Sequence, residues 1–348
     1  MMFSARKRRR ICELSNEEKR RARELHERAI IIDNAQASYF NTEYFKEVKK
    51  AGVTVAAITV AYNHNLSEAM KLIAEWNRKI TVNADKALLL SHPDDVLCAK
   101  EEGKVAYMLA FQNTMPLEGN TALLELFCKL GIRMVQLTYN ERSLAGDGCG
   151  ERVDHGLSDF GREIVEEMNR LRMLVDLSHC GDRTTEEAIE LAKFPVFSHC
   201  NARALCSNVR NKPDEQIVAM AKKGGVIGVN AFPGFVKRTR TEIGEKPTVE
   251  DLLDHIEYLV NLVGHEHVGL GLDFIENAPQ MEHEELKRRP DIWGLPSPSG
   301  LYEYPLGISS VSEIFNITLG LVARGYSDDE ISTILGGSWL RLYKGAFK

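Results

Sequence analysis

Two stretches of the chain decide the fold, because residues 174–180 (LVDLSHC) and 195–200 (PVFSHC) both end in Ser-His-Cys. His179 and His199 lie twenty residues apart, and an apolar run precedes each of them. A strand, a crossover helix and two tight turns together use about twenty residues. We therefore predict two adjacent parallel strands that carry one histidine each at equivalent positions.

Working outward from this pair, six further β-rich apolar runs occupy residues 29–35, 53–62, 104–113, 134–140, 225–232 and 267–274. Segments with helical spacing of apolar residues lie between the runs, at 66–88, 121–130, 160–171, 185–193, 213–223 and 249–263. Eight buried parallel strands alternating with helices predict a (β/α)₈ barrel, often called a TIM barrel, of the α/β class. We predict a tail and helix over 1–28 and a single barrel domain over 29–348, with long rim loops at 141–159 and 275–310.

The composition is that of an ordinary globular chain of 348 residues, with 44% hydrophobic residues, 27% charged residues and a net charge of −6. This charge gives no electrostatic footprint for nucleic acid, and no apolar stretch is long enough to cross a membrane. The seven cysteines are odd in number and lack C-x-x-C spacing, which favours reduced thiols. The sequence thus predicts a cytoplasmic protein that has neither nucleic acid nor a membrane as a partner.

Polar residues follow almost every predicted strand, and in this architecture the carboxyl ends of the strands form the rim that carries the active site. They include Asp33, Asn63, Gln112, Asn113, Tyr139, Asn140, His179, His199, Asn230 and Asp273. We expect them to converge on a polar cavity, since a barrel interior does not tolerate unpaired polar groups. Two imidazoles at neighbouring strand ends can reach one zinc ion, whose nitrogen ligands lie about 2.1 Å away. The alternative is that each histidine only forms hydrogen bonds within the barrel mouth.

Five motifs stand in order between about residue 30 and the C-terminus: DLSH (176–179), FSH (197–199), RNKPD (210–214), GLGLDF (269–274) and GGSWLR (336–341). Together they resemble the motifs of the renal or membrane dipeptidase family, peptidase family M19. The resemblance implies a (β/α)₈ barrel with two zinc ions, a bridging hydroxide that attacks the peptide carbonyl of a dipeptide, and a homodimer. It also implies that His179 and His199 bind the second metal, that Arg210 contacts the substrate carboxylate, and that Asp273 shuttles the proton.

The chain departs from the family pattern at one cluster of positions. The first strand of relatives ends in a D-G-H-x-D pattern that supplies two ligands to the first metal, whereas Ala35 and Ala37 stand at those positions here. Gln112 replaces the glutamate that bridges both metals, and a neutral amide cannot supply the bridging negative charge. Tyr139 replaces a histidine that polarises the substrate. The resemblance therefore indicates a divergent, bacterial-type branch without the first-metal ligands.

The leading hypothesis is a dipeptidase-like hydrolase that uses one zinc ion at His179 and His199 to cleave an amide bond of a small carboxylate-bearing substrate. Asp273 is the candidate general base, and Tyr139 either donates to a developing oxyanion or closes the barrel mouth. Further candidate substrate-binding residues are Arg210, Gln112, Asn113 and Asn140. Two alternatives stay open: a metal-independent lyase or isomerase that uses Asp273 and Tyr139, and a non-catalytic protein that binds small acids.

Overall fold

Parallel strands form a ring in the computed structural model, which describes residues 9–237, 246–278, 286–294 and 302–347. The strands of these ranges are β1 (Ile32–Gln36), β2 (Val55–Ala61), β3 (Ala87–Leu89), β4 (Val105–Phe111), β5 (Ile132–Gln136), β6 (Leu174–Asp176), β7 (Pro195–Val196), β8 (Ile227–Val229) and β9 (Val268–Leu270). Their order in the sheet is β7-β6-β5-β4-β2-β1-β9-β8, and a parallel bridge between Phe197 and Ile227 joins its two ends. The predicted eight-stranded barrel is confirmed.

Helices fill the connections between the strands and cover the outside of the ring, as the alternating pattern predicted. They are α1 (Asn16–Arg28), α2 (Thr42–Lys50), α3 (Leu66–Val82), α4 (Asp94–Glu101), α5 (Leu123–Lys129), α6 (Asp159–Leu171), α7 (Asp182–Leu191), α8 (Asp214–Lys222), α9 (Pro233–Val236), α10 (Val249–Val263), α11 (Pro290–Trp293), α12 (Phe315–Ala323), α13 (Asp328–Ser332) and α14 (Ser338–Ala346). Short 3₁₀ turns span Ile11–Glu13, Met115–Leu117, His265–His267 and Val311–Glu313, and a π-helical turn, Thr333–Gly337, joins α13 to α14. None of the helices in the described part of the chain is long and apolar enough to span a bilayer.

The helix predicted over residues 66–88 is wrong at its C-terminal end. It stops at Val82, where the Asn83 side chain donates to the Lys79 carbonyl, and β3 follows at Ala87–Leu89. β3 pairs with β4 from Val105 onward, whereas β5 pairs with β4 only from Leu109. The short strand β3 therefore pairs with the first half of the β4 edge, which β5 does not reach, and β3 is not one of the eight strands of the ring.

The barrel interior is apolar at the amino ends of the strands and polar at their carboxyl ends. Along β6, for example, Leu174 is followed two residues later by Asp176, which shares its face, and Ser178 just beyond the strand donates to Asp176. Helix α14 closes the apolar end, where Trp339 Nε1 donates to the Leu270 carbonyl at 3.0 Å. Only the carboxyl end of the barrel is left as a polar mouth.

Two glycines bring the backbone of the barrel close to the segment that carries His199. A Cβ atom at Gly228 or at Gly271 would overlap the carbonyl oxygen of Ser198. Only glycine permits this approach of β8 and the β9 end to the residues after β7. Gly228 and the second glycine of the GLGL motif therefore let β8 and the end of β9 pack directly against the backbone that precedes His199.

The two long rim loops contact each other. Within 141–159, the buried Asp147 pairs with Arg142 at 2.5 Å and with His155 at 3.0 Å. From the second loop, Arg289 pairs with Glu141 at 3.4 Å and donates to the Gly150 carbonyl at 3.1 Å. Residues 279–285 and 295–301 of the predicted loop 275–310 lie outside the described residues. The division into a segment 1–28 and one barrel domain stays a prediction.

Candidate active site

The register of β6 and β7 brings His179 and His199 together. Asp176 pairs with Val196, an offset of twenty residues that the two histidines share. Both side chains are buried, and their Nε2 atoms lie 2.9 Å apart. The repeated Ser-His-Cys therefore delivers two imidazoles to one point at the mouth.

The proton position on His199 follows from a buried carboxylate. The Ser178 and Ser198 hydroxyls each donate to Asp176, to Oδ1 and Oδ2 respectively, at 2.6 Å. Because the Ser198 proton is used in this way, its oxygen accepts a hydrogen bond from His199 Nδ1, also at 2.6 Å. A neutral His199 with its proton on Nδ1 has a lone pair on Nε2.

Asn140 sets the same tautomer on His179. His179 Nδ1 lies 2.7 Å from Asn140 Oδ1, which also accepts from the Cys149 thiol at 3.4 Å. An amide oxygen only accepts, so Nδ1 donates and Nε2 again carries a lone pair. Asn140 has a left-handed backbone with φ of 58°, as does Asp273 with φ of 57°, and such strain is common at functional sites.

The Nε2 atoms of the two imidazoles face each other at 2.9 Å, and the contacts of both Nδ1 atoms favour the Nδ1–H tautomer on each ring. Burial lowers the pKa of both His179 and His199 well below the usual value, and the nearby Arg210 guanidinium lowers both further. Facing lone pairs in a buried site are unfavourable unless a cation lies between them. The arrangement thus has the donor chemistry of half of a metal site.

Asp273 lies after β9, at the same mouth, and titrates near neutrality. Burial raises the pKa of its carboxyl to about 7, while Arg210 opposes the rise. Its Oδ2 accepts from Asn230 Nδ2 at 3.2 Å, and that amide also donates to the His199 carbonyl at 3.3 Å. A carboxyl that is half ionised at neutral pH and held beside the histidines suits a general base.

Arg210 is fully buried beneath the histidine loop. One guanidinium nitrogen donates to the Ser178 carbonyl, and the group packs over the Phe235 ring at 5.2 Å. Its Nε and Nη2 atoms have no hydrogen-bond partner among the described residues. Two unpaired donors on a buried cation are costly unless an anion binds them.

A cavity of about 550 Å³ opens at the mouth. Five of the predicted catalytic, metal-binding and substrate-binding residues line it: Gln112, Tyr139, Asn140, His179 and Asp273. The Tyr139 ring stacks on His179, with centroids 4.3 Å apart. His199 and Arg210 lie behind this lining, and Asn113 is turned to the Asn63 side chain, to which it donates at 2.9 Å. Ala37 is at the cavity wall and Ala35 is buried.

A comparison with protein families identifies the chain, because the model of the membrane dipeptidase family, peptidase family M19, matches residues 19–293. The chain belongs to this family. Among curated relatives, it is 28% identical to dipeptidase tcpJ of Claviceps purpurea over 81% of this chain and 61% of that protein. It is 31% identical to the uncharacterized dipeptidase C965.12 of Schizosaccharomyces pombe, over 72% of this chain and 56% of that protein. The chain thus spans about three fifths of the length of these M19 relatives.

Solved structures give the same fold over nearly the whole chain. An amidohydrolase from Pseudomonas aeruginosa is 35% identical, with a TM-score of 0.86 over 94% of this chain and 99% of that one. A metallopeptidase from Rhodobacter sphaeroides, liganded with a phosphinate mimic of the dipeptide L-Ala-D-Ala, is 18% identical with a TM-score of 0.76 over 91% and 99%. The second similarity supports the barrel alone.

The two-zinc centre of M19 does not fit this chain. Ala35 and Ala37 offer no ligand, and the Gln112 amide donates to Thr59 Oγ1 at 2.8 Å. Across the ranges that the structure describes, no three His, Cys, Asp or Glu side chains are grouped as a metal site. One ion does fit the donor chemistry of His179 and His199, because both Nε2 lone pairs point to one place and both Nδ1 atoms are held by other groups.

Sequence reasoning missed the residues that orient the imidazoles, which are Asp176, Ser178 and Ser198. The signal was present, since a serine precedes each histidine of the repeat and Asp176 stands two residues before Ser178. A serine two residues after an aspartate at a strand end can donate to its carboxylate, as Ser178 does here.

Proposed function

We propose that this chain is a dipeptidase-like hydrolase that cleaves an amide bond of a small carboxylate-bearing molecule with one zinc ion. The single observation that carries the proposal is the pair of buried imidazoles, whose Nε2 atoms lie 2.9 Å apart and whose Nδ1 atoms each contact a polar group behind them. Membership in M19 supports hydrolysis as the reaction class. His179 and His199 would hold the ion, which supplies Lewis-acid polarisation of the substrate carbonyl when bound.

The remaining residues have separate roles in the proposed reaction. Asp273 takes a proton from the attacking water and returns it to the leaving nitrogen, for which a pKa of about 7 is suited. The Tyr139 hydroxyl donates to the oxygen of the tetrahedral intermediate. The Gln112 and Asn140 side chains, which line the cavity, orient the amide, and the buried Arg210 guanidinium supplies positive charge behind the histidines for the substrate carboxylate.

Elemental analysis of the purified protein, together with turnover of small N-substituted amino acids, tests this proposal. We expect close to one zinc per chain, loss of zinc and turnover in His179→Ala, and retention of both in His64→Ala. His64 also lines the cavity but lies outside the imidazole pair, so it is a matched control. Unchanged turnover in metal-free protein would refute the proposal.

A second candidate is a metal-independent lyase or isomerase with Asp273 and Tyr139 as base and acid. Two observations favour it: no third side chain in the described ranges joins the histidines as a metal ligand, and the pKa of Asp273 is about 7. Its activity would survive chelators and disappear in Asp273→Asn. The hydrolase would instead lose activity under both treatments.

We also propose a homodimer in the cytoplasm. The family resemblance supports the dimer, and the seven cysteines, none of which forms a disulfide in the described part of the chain, support a reducing compartment. Light scattering coupled to gel filtration tests the assembly, and fractionation of the native cell tests the location.

A further inference from the structure

The cavity extends from the histidines to the opposite wall of the barrel. In the ring, β6 and β7 are separated from β1 and β2 by three to four strand positions on either side. A substrate with its reacting carbonyl at the histidines therefore points its far end at the wall that follows β1 and β2. We call the residues there the apolar lobe: Ala37, Phe40, Val60, Leu72 and Trp76, all of which line the cavity.

The apolar lobe is built from hydrocarbon and aromatic surface. Phe40, Val60 and Trp76 are nearly buried, and the rings of Phe40 and Trp76 meet edge to face at 5.1 Å. Ala37 within the lobe and Gln112 on the same cavity wall are neutral where the family resemblance implies metal-binding carboxylates. The positions that correspond to the first metal are thus continuous with an apolar compartment.

The glutamate carboxylates that line the cavity near the lobe and at its rim are already paired. Glu75 forms an ion pair with Lys79 at 2.9 Å, and the Lys79 ammonium lies 5.0 Å from the Trp76 ring. At the rim, Glu141 pairs with Arg289. Among the described lining residues, this leaves Asp273 as the carboxyl outside an ion pair, and the reaction uses it at the carbonyl.

A dipeptide carries an ammonium group on the carbon next to the scissile carbonyl. Burying that charge against the apolar lobe is unfavourable without a carboxylate to pair with it. A neutral acyl group of the same shape has no such cost and gains from apolar contact.

We propose that the preferred substrates are N-acyl amino acids with a short uncharged acyl chain, rather than dipeptides with a free amino terminus. This assignment rests on the proposed hydrolase function and names its substrate class. Hydrolysis breaks the acyl carbon–nitrogen bond and joins the water oxygen to the acyl carbon. One water proton passes to the leaving nitrogen, so the products are a carboxylic acid and an amino acid, with water as the co-reactant.

The test uses an isosteric pair, leucyl-alanine and its desamino analogue 4-methylpentanoyl-alanine, each with both alanine enantiomers. Binding to the purified protein is measured by calorimetry, and hydrolysis is measured as released alanine. We expect the Kd of the desamino compound to be at least about tenfold lower than that of the dipeptide, and its kcat/KM to be higher by a similar factor. Equal or better binding of the dipeptide overturns the substrate class, as does failure of both compounds to bind.

The two measurements separate this inference from the function on which it rests. Tighter binding of the desamino compound without release of alanine supports the substrate class and counts against the hydrolase. Release of alanine from both compounds at equal kcat/KM supports the hydrolase and counts against the substrate class.

Two tryptophan variants of α3 locate the acyl group. Leu72→Trp fills the apolar lobe and is expected to lower kcat/KM for 4-methylpentanoyl-alanine by about tenfold or more while sparing acetyl-alanine. Met70→Trp places the same side chain on the exposed face of the same helix and should change neither substrate. If Leu72→Trp lowers kcat/KM equally for the long and the short acyl group, the apolar lobe does not determine which acyl group the enzyme prefers.

Discussion

Replacing Ser198 with alanine removes the hydroxyl that connects His199 to Asp176. His199 Nδ1 then loses its acceptor and Asp176 Oδ2 loses its donor, both at 2.6 Å. Ser178→Ala is a closely matched control, because Ser178 also donates to Asp176 at 2.6 Å but accepts from the His199 backbone N–H at 3.2 Å instead of the ring. Each variant removes one contact to the aspartate and one to the histidine, and only Ser198→Ala frees the imidazole.

The two variants should therefore be alike in stability and different in metal binding. Two buried hydrogen bonds lost in each case lower the free energy of unfolding by roughly 2–4 kcal/mol, measured by urea denaturation in EDTA. Zinc affinity, measured by competition with a chromophoric chelator, should fall about 10–100-fold in Ser198→Ala and stay near wild type in Ser178→Ala. Long-range ¹⁵N correlation spectra of the metal-free protein should show the Nδ1–H tautomer of His199 in wild type and Ser178→Ala only. Equal losses of zinc affinity in both variants would refute the role assigned to Ser198.

Three further predictions concern the carboxyls of the mouth and the packing beneath them. Burial raises the folded-state pKa of Asp33 and Asp273 to about 7. The stability linked to each protonated carboxyl is therefore fully present below pH 4 and is lost as the pH rises through 7. Urea denaturation in EDTA should show that the free energy of unfolding falls over this range by up to roughly 4 kcal/mol per group. Hydrolysis should instead increase through pH 7 as Asp273 ionises, and Asp273→Asn should abolish this limb of the pH profile along with most of the turnover; a profile of the variant that keeps the limb assigns it to another group. Gly271→Ala forces a methyl group against the Ser198 carbonyl and should lower the free energy of unfolding by about 3 kcal/mol or more. A variant that unfolds at the same urea concentration as wild type would contradict the close packing of the strands here.

The sequence predicted the barrel because its strongest signal, the twenty-residue interval, is set by the length of one strand and one crossover helix. The register of Asp176 with Val196 has this interval. The strand β3 was missed because Ala-Leu-Leu continues the apolar spacing of the helix before it, and only the uncovered edge of β4 distinguishes the two. The local sequence pattern was thus sufficient for the two adjacent strands, whose spacing is set by the length of the chain between them. It was not sufficient for β3, because that strand forms only through pairing with the edge of β4.

At the candidate site, it was easier to predict which residues take part than whether each one lines the cavity or lies buried behind it. Asp273 and Tyr139 follow their strands and reach the cavity, as their positions in the chain indicated. Arg210 is instead buried behind the histidines, because the segment before it folds back and Asn211 donates to the carbonyls of Cys206 and Phe235 at 2.8 and 2.9 Å. Such a return of the chain depends on long-range contacts that no local periodicity encodes.

The replacements at the first-metal positions are consistent with one another in charge and in hydrogen bonding. Removing a zinc ion while keeping its carboxylates would leave unpaired negative charge in a buried mouth, which is strongly unfavourable. This chain removes both together: Ala35 and Ala37 carry no charge, and the Gln112 amide is satisfied by Thr59. Tyr139, in place of a histidine, covers His179 with a stacked ring. The other half of the centre keeps its imidazoles and the groups that orient them, which is consistent with the single-ion site proposed above.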